Sequence, residues 1–205
     1  MKNIVIAGID TEVGKTVIAT LFAKALDAYY WKPVQCGIPS DLEWVQNYIG
    51  EHCYPSSFSL KTPCSPHLAA RNEGIRIDSK NLRLPKHNGP LIIEGTGGIL
   101  APLNETETWA DAATQWNAQW VLVHRHYLGS LNHFLLTLEA LKQRKAPLLG
   151  IIFNGEGDIA TEQMLIQKAN SRCLGKLSWE IQFTKSRIQE IASTWKPTIL
   201  EALGA

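Results

Sequence analysis

The chain has 205 residues, which at about 100–200 residues per domain points to one domain or a tight pair. Hydrophobic residues make up 45%, enough for a sizeable core, while 20 Lys plus Arg against 19 Asp plus Glu leave a formal net charge of +1. That balance argues against the broad basic footprint of a sequence-independent nucleic-acid binder. No uncharged apolar run approaches the roughly 18 residues of a membrane span, and Asp10 interrupts the opening apolar stretch, so the expectation is a cytoplasmic chain with no membrane partner. Cys36, Cys53, Cys64 and Cys173 form no C-x-x-C pair and predict free thiols.

Taken in chain order, residues 3–7 read as a strand, 16–26 as a helix, 29–34 as a strand, and 42–49 and 66–73 as helices. Then come a strand at 91–93, a helix at 109–116, a strand at 119–123, a helix at 130–142, a strand at 148–153, a helix at 160–170, a weaker strand at 172–177 and a helix at 186–193. Apolar runs without strict alternation are strands buried on both faces, and their alternation with helices predicts an α/β fold with a mostly parallel sheet between helical layers. No linker and no repeat divides the chain, so residues 1–205 read as a single domain, with 61–89 as an excursion from it. Ligands of such sheets gather at the carboxyl ends of the strands.

The loop after the first strand reads Gly8-Ile9-Asp10-Thr11-Glu12-Val13-Gly14-Lys15-Thr16, and an apolar helix follows from Val17. Glycines let the backbone turn its N–H groups inward, the helix N-terminus adds a positive dipole end, Lys15 brings a cation and Thr16 a hydroxyl for magnesium. This is a phosphate loop for a nucleoside triphosphate, and it makes the expected architecture a P-loop NTPase-like three-layer sandwich. Glu94 closes a buried apolar run and leads into Gly95-Thr96-Gly97-Gly98, so it is a candidate magnesium ligand. Asp41 reads equally as a metal ligand or as a first-turn residue favoured by the helix dipole. Lys32, near the end of the second strand, is either a snorkelling surface lysine or a cation aimed at the same site.

Together these segments resemble the dethiobiotin synthetase family. The blocks run in that family's order: the phosphate loop with its five-residue gap between Gly8 and Gly14, Lys32-Pro33-Val34, Ser40-Asp41, Ser65-Pro66-His67, Glu94-Gly95-Thr96-Gly97-Gly98 and Leu128-Gly129-Ser130-Leu131-Asn132-His133. The resemblance implies an ATP- and Mg2+-dependent cyclo-ligase of biotin biosynthesis. Its substrates would be 7,8-diaminopelargonate, CO2 and ATP, joined through a carbamate and a carbamic-phosphoric anhydride, in a homodimer.

By the same resemblance Lys32 and Lys15 are catalytic cations, and Thr16, Asp41 and Glu94 hold the metal. Glu12, Val13, Gly14, Lys15, Thr16, Val17, Glu94, Gly95, Thr96, Gly97, Asn154 and Gly155 contact the nucleotide, with Asn154 as the base-recognising amide. Thr11, Cys36, Gly129 and Asn132 contact the substrate, the last two from the segment 125–133 at the dimer interface. This chain departs from the family where Cys36 replaces a hydroxyl, Gly155 an Asp, and Leu177-Ser178-Trp179-Glu180 a Pro-containing contact. Three alternatives accompany this reading. A deviant P-loop switch ATPase is disfavoured by the absence of an extra lysine at Asp10 or Thr11, and an amidoligase by the length; the third is a non-catalytic nucleotide-binding paralogue.

Overall fold

Nine strands and seven α-helices order the described residues, 2–180 and 182–204, of the computed structural model. Strands β1 (Asn3–Gly8), β2 (Tyr29–Trp31), β4 (Cys53–Tyr54), β6 (Leu91–Gly98), β7 (Ala118–Arg125), β8 (Leu148–Asn154) and β9 (Cys173–Leu177) form one sheet in the order β4-β2-β6-β1-β7-β8-β9. Every pairing in it is parallel. Ile4, Val5 and Ile6 are consecutive and all fully buried, so both faces of the central strand are covered, as the unalternating pattern predicts. β1 lies between β6 and β7, neither its neighbour in sequence, and the strand order diverges there into a crevice at the carboxyl ends.

The strand predicted at 29–34 is two strands. Pro33 has no N–H to give a ladder, and proline restricts the residue before it. The chain therefore leaves the main sheet after Trp31, and β3 (Val34–Cys36) pairs instead with β5 (Phe58–Leu60), in register Val34 to Phe58, as a separate two-stranded sheet. Lys32 sits at that break.

Helix α1 (Lys15–Leu26) buries Ile18, Leu21 and Phe22, and the Phe22 ring meets Trp195 edge-on at 6.5 Å. Trp195 belongs to α7 (Lys185–Leu203), which continues ten residues past the end expected at 193 even though it contains Pro197. Both Pro197 and Ser193 are exposed, so water can serve the carbonyl that loses its partner. Helix α2 (Asp41–Ile49) starts where Ser40 Oγ accepts from the Leu42 N–H at 3.2 Å. The excursion 61–89 holds α3 (Pro66–Asn72) and packs onto the body: Ile77 and Leu82 are buried, and Trp116 Nε1 donates to the Leu82 carbonyl at 2.9 Å. Helices α4 (Trp109–Ala113), α5 (Ser130–Gln143) and α6 (Ile159–Ala169) complete the layers, and Trp109, Trp116 and Trp120 interlock as core.

Candidate active site

The loop from β1 to α1 is built by backbone sterics. Gly14 takes a left-handed φ of 93°, and a Cβ placed on it would stand 2.3 Å from the Asn154 amide nitrogen, so only glycine fits. No side chain caps α1, so its first N–H groups are free for a ligand. Three of the loop's carbonyls, by contrast, are occupied. Lys15 Nζ donates to Asp10 O at 2.8 Å, Arg125 Nη1 to Glu12 O at 2.9 Å and Asn154 Nδ2 to Val13 O at 2.8 Å.

Glu94 is the hub. It is 1% exposed, and its Oε1 accepts from Thr16 Oγ1 at 2.7 Å and from Lys32 Nζ at 3.0 Å, while Oε2 accepts from the Tyr30 hydroxyl at 2.6 Å. Lys32 also pairs with Asp41, the first residue of α2, whose backbone N–H donates to Gln35 Oε1 at 3.4 Å. Asp41 is thus a first-turn residue whose carboxylate also reaches the site.

Burial sets opposite fates for the two lysines. Lys15 is pushed down to about 8 by burial, only partly offset by Glu94, so it still carries its charge at neutral pH but holds it less firmly than a free lysine. Burial alone would also lower Lys32, but Glu94 and Asp41 together outweigh it and raise its pKa, so this ammonium stays charged. Tyr30 is raised by its own burial and then by Glu94, and stays a neutral donor. Cys36 is pushed up to about 11 by burial and by the nearby Cys64, so it remains a thiol.

A cleft of about 660 Å³ opens over these groups. Thr11, Glu12, Gly14, Lys15 and Thr16 line it from the phosphate loop, Lys32, Cys36 and Asp41 from the segment after β2, and Glu94, Thr96 and Gly97 from β6. The excursion contributes Pro63 to Pro66 as a further wall. Val17, Asn154 and Gly155 lie instead on an adjoining cavity of about 130 Å³. Val13 is fully buried, and Gly95 packs where a Cβ would lie 3.2 Å from Ile6 O and 3.3 Å from Trp109. Gly129, the N-cap of α5, and the exposed Asn132 are not among the residues lining either cavity.

Sequence reasoning missed Tyr30, Gln35 and the Arg125 contact. For Tyr30 a signal existed: in an extended strand residues i and i+2 share a face, so Tyr30 precedes Lys32 on the side that carries the chemistry.

The donors fit a hard divalent cation. Two carboxylates and a hydroxyl are oxygen ligands of the kind Mg2+ takes, and an ammonium already bridges the two carboxylates. Among the described residues no three His, Cys, Asp or Glu side chains gather as a metal cluster. No described helix is long and apolar enough to cross a membrane.

Comparison with known proteins bears on this geometry. The sequence model described as "AAA domain" matches residues 2–187. An ATP-dependent dethiobiotin synthetase BioD of Rhodopseudomonas palustris (strain HaA2) is 42% identical over 193 residues, covering 92% of this chain and 91% of the relative. The enzyme of that name from Chlamydia pneumoniae is 39% identical over 198 residues, 96% of this chain and 90% of the relative. Among solved structures, a ParA family ATPase from Chlorobium tepidum TLS aligns with a TM-score of 0.56 at 15% identity, covering 98% of this chain and 97% of that one. A putative plasmid partition protein from Borrelia burgdorferi B31, bound to AMPPNP, aligns at 0.58 and 13% identity, over 98% and 97% of the two chains. At those identities the structural likeness speaks for the P-loop ATPase fold alone. With the match to residues 2–187 and about 40% identity along nearly the whole chain, the protein belongs to the AAA-domain family and, within it, to the ATP-dependent dethiobiotin synthetases.

Proposed function

We propose that the chain closes the cyclic urea of dethiobiotin from 7,8-diaminopelargonate and CO2 at the expense of ATP. One amine adds to the carbon of CO2 and loses a proton, giving a carbamate. A carbamate oxygen attacks the γ-phosphorus as ADP leaves, forming a carbamic-phosphoric anhydride. The second amine then attacks the carbonyl carbon and expels phosphate. Negative charge moves between oxygens throughout, so the need is for fixed cations and positioning rather than a covalent nucleophile.

The observation that carries this reading is the buried Lys32 ammonium beside Thr16 and Glu94 at the mouth of the phosphate loop. Lys32 stays protonated and faces the developing charge between carbamate and γ-phosphate. Lys15 and the N–H groups of residues 12–17 hold the phosphates, and Thr96 and Gly97 flank them. Thr16, Asp41 and Glu94 hold Mg2+, which when bound offsets charge on the phosphate oxygens. Asn154, with Gly155 beside it, meets the base, and Thr11 and the Cys36 thiol face the carbamate.

Gly129 and Asn132 act on a neighbouring copy. Leu128 is completely exposed, and Leu131 and Leu136 of α5 are exposed as well, an apolar surface that a homodimer would bury. Backbone N–H groups at the start of α5 suit the substrate carboxylate there. The test is phosphate release from ATP with and without 7,8-diaminopelargonate and bicarbonate, with dimerisation followed by sedimentation. Release that requires both substrates is expected; hydrolysis independent of them, as in a switch ATPase, or no hydrolysis at all would overturn the proposal.

A further inference from the structure

The cavity lined by Val17, Asn154 and Gly155 has an indole at its mouth. Trp31, Trp109, Trp116, Trp120 and Trp195 are buried, yet Trp179 is 71% exposed at the mouth of this cavity, where the chain leaves β9. Here Arg125, at the end of β7, sets its guanidinium 5.2 Å from the ring centroid, within cation–π range. The same guanidinium donates to Glu12 O of the phosphate loop at 2.9 Å, so the ring is indexed to the loop that holds the phosphates.

The surrounding walls are fixed. Phe183 is held by the Tyr48 hydroxyl, which donates to its carbonyl at 2.8 Å, and Glu180 accepts from Arg187 at 2.6 Å. Gly155, at φ 85°, would place a Cβ 3.6 Å from the Trp179 Nε1. A planar cation covers one face of an indole and leaves the other to a second flat group.

We infer that Trp179, backed by Arg125, is the stacking platform for the nucleobase of the bound triphosphate, and that it gives affinity through a π-face common to all bases. This deepens the nucleotide-binding reading above and rests on it. Stacking on an aromatic ring tolerates any base, so Trp179 strengthens binding without selecting adenine.

Isothermal titration of Mg2+ with non-hydrolysable analogues of ATP, GTP and CTP, and with inorganic tripolyphosphate, tests it on the wild type, Trp179→Ala and Trp179→Phe. Trp179→Ala is expected to weaken all three nucleotides by about tenfold and tripolyphosphate by less than about twofold, while Trp179→Phe keeps most of the affinity. Nucleotide should also quench the emission of the wild type more than that of Trp179→Phe. Unchanged nucleotide affinity in Trp179→Ala, an equal loss for tripolyphosphate, or a loss confined to one base would overturn the platform while leaving the nucleotide reading intact. A wild type that binds none of the four would overturn both.

Discussion

Glu94 and His124 stand on the two strands that flank β1, and both are ionisable groups sealed from solvent. Glu94 accepts from three side chains, those of Thr16, Tyr30 and Lys32. His124 has no partner for either ring nitrogen and lies edge-on to His126 at 4.7 Å, Phe134 at 5.5 Å and Phe153 at 5.7 Å. A buried charge is retained only where partners offset its desolvation, so Glu94 stays wired into a polar network while His124 is held neutral. Convergence of partners, more than burial, separates a working group from a packed one.

Lys32 is the cation that the Glu94 carboxylate answers. Lys32→Met keeps the volume but removes the charge, and is expected to lower kcat by about 10²- to 10³-fold or more with ATP affinity nearly retained. Near-native turnover in a coupled phosphate assay would remove Lys32 from the chemistry.

His124 probes the other side. Burial, and then His126, push its pKa down from 6.5 to about 4. The unfolded chain therefore binds the proton first, and stability is complete above about pH 6.5 and falls as pH drops towards 4, by up to about 3 kcal/mol. His124→Phe, which suits the aromatic surroundings, should flatten that fall in urea titrations at pH 7 and pH 5. An unchanged pH dependence would mean another group is responsible.

Tyr30→Phe sharpens the Glu94 side. It removes one donor from a buried carboxylate, at about 1.5–3 kcal/mol, and should also alter Mn2+ affinity measured by electron paramagnetic resonance. A stability loss with metal affinity unchanged would make Tyr30 structural only. Smallest is Ser40→Ala, about 1 kcal/mol for the lost cap of α2, read as a drop in Tm. If kcat falls as well, the cap also places Asp41.

Much of this was legible in the sequence because the signals are local. The phosphate loop is one continuous run, and Lys32 and Glu94 announce themselves as charges at the ends of apolar strands. Tyr30 gave no such contrast, since an aromatic residue in an apolar strand reads as core until its hydroxyl is seen 2.6 Å from Glu94. Strand β4 has two residues and β5 three, too few for a periodicity to register, and the pairing of β5 with β3 depends on the break at Pro33. The last helix outran its forecast because Trp195 and Ile199, on either side of Pro197, are buried in the core, and that tertiary packing offsets the lost bond and the ring's crowding. Likewise Asn154 showed its amide but not that this amide props Gly14's loop.

That propping fixes a polarity. A peptide unit offers a carbonyl on one side and an N–H on the other, so a loop of fixed path presents one sign to each side. The carbonyls of Asp10, Glu12 and Val13 are each engaged by a donor, from Lys15, Arg125 and Asn154. Two of those donors come from the ends of neighbouring strands, so the sheet itself holds the loop in an orientation that favours negative charge. The enzyme does not wait for phosphate to organise its own receptor: the cost of turning those dipoles is met when the chain folds.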